Sequence, residues 1–282
     1  MSLIDAFEPI ETLGDRVKTT EALLTGWIRA MSQFPEIYDV CTSDYTEAGF
    51  DWQTIALTRI MPYSLKHWSC LQTTYHQLKK LCHMDTLRAG GFNPTDFEEL
   101  MFVLYHGLGN GAGWAHAYDG KPAIWLGIDK LCELGWTTTK QLKALIVHEA
   151  AHLWHAQKLH VSLPRFAQYC NHPIFRLVAE GIAMVYETTI DPLGSRSEAW
   201  FKACEERLPD IKKLYAQSLR ENNDAWQRFF GDWHTVENLP DTGYFIGKRL
   251  VDWLTQDRML EAVAVMSLPT LTDLTMHFLE GK

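Results

Sequence analysis

Apolar residues recur at helical spacing through most of the N-terminal third of the chain. The segment TTEALLTGWIRAM (19–31) places them on one face of a helix. The stretches DWQTIALTRI (51–60) and SCLQTTYHQLKKLC (69–82) carry the same pattern and predict one or two longer helices around Pro62. We therefore expect a helical layer in this part of the protein.

The helical pattern is interrupted at LRAGGFNPTD, Leu87–Asp96. Its Gly-Gly and Asn-Pro pairs break any helix and mark a soft boundary. We accordingly divide the chain into a helical N-terminal region at residues 1–90, whether separate or part of one domain, and a second region at residues 91–282. No repeat period or low-complexity tract divides the chain further.

Extended segments follow this boundary. FEELMFVLYHGL (97–108) offers a buried strand, and GWAHAYDGKPAIWLGID (113–129) contains two candidate strands around Asp-Gly, a dipeptide typical of tight hairpins. Proline opens the second of these strands, Pro122–Asp129, and a proline at the start of a strand suits the edge of a sheet. We predict a small antiparallel sheet in which Pro122–Asp129 is an edge strand.

A long helix is predicted next, and it contains the most informative motif. The threonines at 137–139 supply an N-cap, and KQLKALIVHEAAHLWHAQKLH (140–160) continues for about five turns with polar residues on one side only. Within it, His148 and His152 stand four apart around Glu149. Residues four apart project from the same face of a helix, so both imidazoles can point at one metal ion.

The order of these three residues has a chemical meaning. In an H-E-x-x-H sequence two neutral imidazoles hold a metal ion, and the carboxylate between them accepts a proton from a water molecule that the metal has acidified. Glu149 is therefore the candidate general base. A chance match and a hydrogen-bonded pair of core histidines are the alternatives, but the aliphatic surroundings require polar partners for all three groups, and a metal ion supplies them at once.

A zinc site of this kind needs a third protein ligand and an open fourth position. The pattern H-E-x-x-H-x-x-G-x-x-H does not supply the third ligand, because histidine and lysine occupy positions 155 and 158. NHPIFRLVAEGIAMVYE (171–187) offers Glu180 in a nearly continuous apolar run, where Pro173 suits a first helical turn. We take Glu180 as the third ligand, and a salt bridge to Arg176 on the same face is the alternative.

Neighbouring residues carry further expectations. Glycine weakens a helix by about 1 kcal/mol relative to alanine, so Gly181 indicates the close approach of another backbone, for which the H-E-x-x-H helix is the natural neighbour. His155 lies one turn beyond His152 and either lines the cleft or is a polar cap on a buried helix; we favour the cleft and do not assign it as a metal ligand. Cys170 is the only nearby spare ligand for a closed, purely structural zinc site, and Glu187 is a further substitute for Glu180.

Composition narrows the classes of function. With 282 residues, 46% of them apolar, the chain can bury a substantial core. Its formal charge of −9 comes without a Lys/Arg stripe, which argues against a nucleic-acid partner. The acidic N-terminus predicts no secretory signal, so we expect a cytoplasmic protein without a membrane partner. Six scattered cysteines without a C-x-x-C pair suit reduced thiols.

Three motifs carry a resemblance to a known family: HEAAH (148–152), AEGIA (179–183) and GYFIG (243–247). In this order they resemble zincin metallopeptidases of the glutamate-ligand (gluzincin) class, in particular the predicted zinc-dependent protease family of the YjaZ type. The resemblance runs roughly from Asp96 to the C-terminus. It implies an α+β, mainly α, zincin-like fold with a small antiparallel β-sheet and an H-E-x-x-H active-site helix.

The resemblance also implies residue roles. His148, His152 and Glu180 would bind one Zn²⁺ per chain, and Glu149 would act as general base in the hydrolysis of a peptide or protein substrate extended along the sheet's edge strand. Tyr244 of GYFIG would stabilise the oxyanion, since a phenol held in a cleft can donate opposite the metal, and His234 is the competing donor. The alternative function is a zinc-binding regulatory or peptide-binding protein with a zincin fold and little or no turnover.

Overall fold

The chain folds into two compact units, here seen in a computed structural model. The structure describes residues 1–14, 16–97, 99–193, 196–221, 224–231 and 234–281. The first unit comprises Met1–Arg88 and Asn93–Ile146, and the second comprises Ala89–Phe92 and Val147–Lys282. The sheet therefore lies in the same unit as the helices of the first ninety residues, whereas the boundary predicted between residues 90 and 91 separates them.

The first unit is largely helical. Its helices are α1 (Glu8–Gly14), α2 (Thr20–Met31), α3 (Pro35–Glu47), α4 (Trp52–Ile55), α5 (Met61–Lys66), α6 (Trp68–Leu81), α7 (Met84–Ala89, whose last residue belongs to the second unit) and α8 (Ile128–Leu134), with the start of α9 (Thr139–Lys158) and a 3₁₀ turn at Pro94–Phe97. A π-helical turn, Ala56–Ile60, joins α4 to α5. Helical structure around Pro62 is thus confirmed, but it consists of three helices and a π-helical turn where one or two longer helices are predicted.

One four-stranded sheet lies in the first unit. Its strands are β1 (Ser2–Asp5), β2 (Met101–Tyr105), β3 (Gly113–Tyr118) and β4 (Lys121–Gly127). They are arranged in the order β1-β2-β4-β3, with β1 parallel to β2, β2 parallel to β4, and β3 antiparallel to β4. The described chain is thus mainly helical with a small mixed sheet, an α+β arrangement, and the prediction of an antiparallel sheet is wrong. A parallel pair needs a long connection. The helices α1 to α7 lie between β1 and β2, whereas β3 lies between β2 and β4.

The hairpin between β3 and β4 is confirmed, but the predicted edge strand is not. Asp119 and Gly120 have φ values of 50° and 72°, the left-handed conformation that a two-residue type I′ turn requires. β4 lies between β2 and β3, so it is a central strand. Pro122 is tolerated because it opposes Ala117 of β3, while pairing with β2 begins only at Ala123, where an amide hydrogen is present.

The second unit is built from helices. It contains the rest of α9, then α10 (Leu163–Cys170), α11 (Pro173–Ile190), α12 (Glu198–Glu206), α13 (Leu208–Arg220), a 3₁₀ turn at Asp224–Phe229, α14 (Thr242–Leu254), α15 (Leu260–Ala264) and α16 (Leu268–Glu280). Among the described helices, none combines the length and the apolar character that a membrane crossing demands.

Local signals start the two helices that carry the site. Thr138 and Gln141 form a reciprocal capping pair at the start of α9, since each side chain accepts the backbone N–H of the other at 3.3 Å, which confirms the predicted threonine cap. At the start of α11, Nδ1 of His172 accepts the Ile174 N–H at 3.3 Å, and Pro173 occupies the first turn as predicted.

Two glycines bring α11 and α14 into backbone contact. A Cβ added to Gly181 would lie 2.2 Å from the carbonyl oxygen of Gly247, and one added to Gly247 would lie 2.5 Å from that of Leu177. The predicted close approach at Gly181 is therefore confirmed, but its neighbour is α14 and not the H-E-x-x-H helix. This crossing places Tyr244, one turn before Gly247, on the helix that packs directly against the Glu180 turn.

Candidate metal centre

Three side chains from two helices converge in the second unit. Nε2 of His148 and Nε2 of His152, both from α9, each lie 3.3 Å from Oε2 of Glu180 on α11. The three side chains are 8%, 12% and 8% exposed, so the group is largely buried. The structure thus brings together the three ligands predicted from the sequence, and this group could hold a metal ion.

The carboxylate of Glu180 fits a metal ligand. Its Oε2 is buried and makes no hydrogen bond within the described chain, while Oε1 lies 3.4 Å from Nε of Arg176. The salt bridge weighed as the alternative is therefore present, but it occupies only the oxygen that faces away from the histidines. A buried carboxylate oxygen between two ring nitrogens is costly unless a positive charge lies among them, and a divalent cation with two nitrogen ligands and one oxygen ligand meets that need.

A second carboxylate orients the first histidine. Nδ1 of His148 lies 2.8 Å from Oε2 of Glu187, which is 2% exposed. This contact turns the ring so that Nε2 faces Glu180, which is how outer carboxylates commonly fix histidine ligands. The sequence pattern marks Glu187 only as a substitute ligand. Its spacing of seven from Glu180, two helical turns on one face, is the signal that could have assigned it.

Without a metal ion, protons balance the charge of the cluster. Burial alone would lower the pKa of His148, but its close contact with the Glu180 carboxylate and its hydrogen bond with Glu187 outweigh burial and raise this pKa to about 10. Burial alone would raise the pKa of Glu180, but the charge of His152 and the close contacts of both histidines with its carboxylate hold this pKa well below its ordinary value. A positive charge is thus favoured at the point where the three ligand atoms meet.

Glu149 lies beside the cluster without belonging to it. The residue is 7% exposed, and burial raises the pKa of its carboxyl group. A carboxylate with a raised pKa holds a transferred proton more readily than an ordinary glutamate does, which suits a general base. Its position next to His148 on α9 follows directly from the H-E-x-x-H order.

Tyr244 reaches the same site from α14. Its ring centroid lies 6.1 Å from that of His148 and 5.5 Å from that of Phe230. Burial raises the pKa of Tyr244, so its phenol remains a hydrogen-bond donor at neutral pH. His234, the competing donor, is exposed, and within the described ranges no hydrogen bond or ring contact links it to the cluster.

His155 does not line a cleft. It is 1% exposed, its Nε2 lies 2.9 Å from the carbonyl oxygen of Ala264, and its ring stacks on Phe175 at a centroid distance of 5.3 Å. The prediction for this residue is wrong because α15 and the aromatic residues of the following helices cover this turn of α9. Cys170 is a buried free thiol outside the three-residue group, and burial raises its pKa to about 12.

In comparisons with known proteins, no family model, no curated protein and no solved structure matches this chain. We therefore infer the chemistry of the site from its own side chains. They provide two imidazole nitrogens and one carboxylate oxygen for a cation, a buried carboxylate able to take up a proton, and a phenol able to donate one.

Proposed function

We propose that the protein is a zinc-dependent metallopeptidase of the gluzincin type with a zincin-like active site. The observation that carries the proposal is the buried Oε2 of Glu180, which lies 3.3 Å from Nε2 of both His148 and His152 and has no hydrogen-bond partner in the described chain. Catalytic zinc typically has three protein ligands, such as two histidines and one carboxylate, and an open fourth position. Structural zinc typically has four Cys/His ligands that complete its coordination.

The surrounding residues have distinct tasks in this proposal. Zinc bound by the three ligands would supply Lewis-acid activation of a water molecule and of the scissile carbonyl. Glu149 takes the proton from the attacking water and delivers it to the leaving amine, and its raised pKa favours the first transfer. Tyr244 donates its phenolic hydrogen to the developing oxyanion. Arg176, 3.4 Å from Oε1 of Glu180, holds the third ligand in place.

The proposed substrate is a peptide or a protein. The support is the pairing of a metal group with a buried proton carrier, because amide hydrolysis needs a proton at the leaving nitrogen as well as an activated water. A protein that only held a zinc ion or a peptide would have no use for the proton-transfer role of Glu149.

Replacement of Glu149 tests this function. We expect Glu149→Gln to retain zinc, measured by mass spectrometry, and to lose cleavage of a diverse peptide library, because the amide accepts no proton. Glu206→Gln, an exposed site on α12, is the control and should cleave like the wild type. Full activity of Glu149→Gln would refute the mechanism. A zinc-loaded wild type that cleaves no peptide would favour the binding-protein alternative.

A further inference from the structure

An arginine side chain lies buried among aromatic rings next to the candidate metal centre. The side chain of Arg196 is only 9% exposed. Its guanidinium carbon lies 4.5 Å from the ring centroid of Tyr244 and 5.1 Å from that of Trp200. The Trp200 ring is itself held in place, because its Nε1–H donates to the carbonyl oxygen of Pro240 at 2.9 Å. The guanidinium is therefore held between two rings in a place that water reaches poorly.

The polar partners of this guanidinium are weak. Nη2 lies 3.9 Å from Oδ2 of Asp241, beyond hydrogen-bonding distance, and Nη1 points at the sulfur of Met184 at 3.6 Å. Nε is buried and has no hydrogen-bond partner in the part of the chain that the structure describes. The other oxygen of Asp241 accepts the Gly231 N–H at 2.9 Å. A guanidinium carries five N–H donors, so strong donors remain here without an acceptor.

The contacts of Arg196 place it beside the part of α11 that carries Glu180 and the part of α14 that carries Tyr244. Met184 follows Glu180 by four residues on α11 and therefore lies on the same helix face, one turn away. Tyr244, the ring under the guanidinium, lies 6.1 Å from the ring of His148. Arg196 thus borders the same site as the metal ligands and the proposed oxyanion donor.

We propose that Arg196 binds a carboxylate of the substrate, so that the enzyme prefers peptides that present a C-terminal carboxylate close to the bond to be cut. This inference rests on the proposed function, because it names the substrate class of the same site. The planar fork of arginine matches a carboxylate with two parallel hydrogen bonds, and burial between two rings strengthens them. A carboxylate would also supply the acceptors that the unpaired donors of Arg196 lack.

Binding without turnover is the direct test. Zinc-loaded Glu149→Gln protein is titrated with three dansylated peptides of one core sequence: one with a free C-terminus, one with a C-terminal amide, and one amide that ends in glutamate. We expect the free C-terminus to bind roughly 10- to 100-fold more tightly than the amide, the usual range for a charge-assisted pair. Tight binding of the glutamyl amide instead would assign the carboxylate to a side chain and overturn the C-terminal preference.

Substitution of the arginine identifies the group that is responsible. In the same background, Arg196→Met should abolish the preference for the carboxylate with unchanged zinc content. The control Arg249→Met removes an arginine of α14 that pairs with Glu205. This variant should keep the preference. A preference that survives Arg196→Met would show that the metal ion holds the carboxylate, and equal binding of acid and amide by the parent would likewise contradict the proposal.

Two features keep this test separate from the proposed function and from folding. The readout is binding, so a wild type that cleaves no peptide would refute the peptidase proposal while the carboxylate preference is still measured. If Arg196→Met fails to fold, Arg196→Lys replaces it, since lysine keeps the charge but lacks the fork. A lysine variant with the full preference of the parent would contradict a role for the fork, and a clearly reduced preference supports it.

Discussion

Nδ1 of His148 lies 2.8 Å from Oε2 of Glu187, and this contact joins α9 to α11 a second time beside the ligand contact with Glu180. One face of α11 therefore supplies both the carboxylate of the candidate metal group and the carboxylate that orients one of its histidines. The two acids are seven residues apart on α11, so the backbone of one helix fixes their separation. The histidine ring is thereby set before any ion binds.

We expect Glu187→Gln to weaken zinc binding about 10- to 100-fold, the usual cost of losing an outer-sphere carboxylate. The amide still occupies the space but no longer supplies the negative charge that increases the basicity of the imidazole. Competition with a chromophoric chelator at neutral pH measures the affinity, and Glu206→Gln serves as the charge control. An affinity equal to that of the wild type would show that the contact does not support the metal.

Metal uptake should release a proton from His148. In the metal-free protein its pKa is raised to about 10, so at neutral pH the ring carries a proton that must leave before Nε2 can bind a cation. The apparent zinc affinity should therefore rise about tenfold per pH unit from pH 6 to pH 9. Calorimetry in buffers of different ionisation enthalpy counts the released protons. Zinc binding that releases none at pH 7 would contradict this account.

The close crossing of α11 and α14 at Gly181 and Gly247 predicts that a glycine-to-alanine substitution there destabilises the protein. In an ordinary helix Gly→Ala stabilises by about 1 kcal/mol. At Gly247 the new methyl group would lie 2.5 Å from the carbonyl oxygen of Leu177, so we expect Gly247→Ala to lower the free energy of unfolding by about 1–3 kcal/mol. Urea unfolding followed by circular dichroism measures it. An alanine variant as stable as the wild type would mean that the two helices do not cross this closely.

Local patterns were sufficient to predict several helices, α9 and α11 among them, and to select the candidate ligands. The H-E-x-x-H spacing, the threonine cap and the proline at the start of α11 act within a few residues, so the sequence carries their geometry directly. Glu180 could be selected because an acid in an apolar helix needs a partner wherever the helix lies. The Asp-Gly hairpin followed from the dihedral angles that its turn requires.

Relationships between distant segments could not be read in this way. β1 has four residues, too few for a clear alternation, and its parallel pairing with β2 joins segments about a hundred residues apart, so the mixed sheet and the central place of β4 were missed. The sequence indicated that a backbone approaches Gly181 but not that the backbone belongs to α14. His155 shares a helix face with the candidate ligands, and the positions of α15, Phe166 and Phe175 decide that it is buried.

The buried imidazole of His155 should make the protein sensitive to acid. Burial lowers its pKa to about 3, whereas an exposed histidine in the unfolded chain has a pKa of about 6.5. At a pH between these two pKa values, the imidazole is therefore protonated in the unfolded chain and neutral in the folded protein. The stability that neutral His155 contributes is complete above pH 6.5 and is lost as the pH falls toward 3.

We expect the free energy of unfolding of metal-free protein to fall by about 2 kcal/mol more between pH 7 and pH 5 in the wild type than in His155→Gln. Glutamine does not titrate, and its amide can still donate to the carbonyl oxygen of Ala264. Urea titrations at the two pH values give the comparison. Identical acid sensitivity in both proteins would show that His155 accepts a proton in the folded state.

The metal content of the purified protein tests the central claim most directly. Wild type and Glu180→Ala are loaded with zinc, desalted and analysed by mass spectrometry, with Glu206→Ala as the exposed control. We predict about one zinc ion per chain in the wild type and the control, and little in Glu180→Ala, because two histidines alone hold zinc weakly. A wild type that takes up no zinc, or a Glu180→Ala variant that keeps all of it, would contradict the assignment of His148, His152 and Glu180 as the ligands.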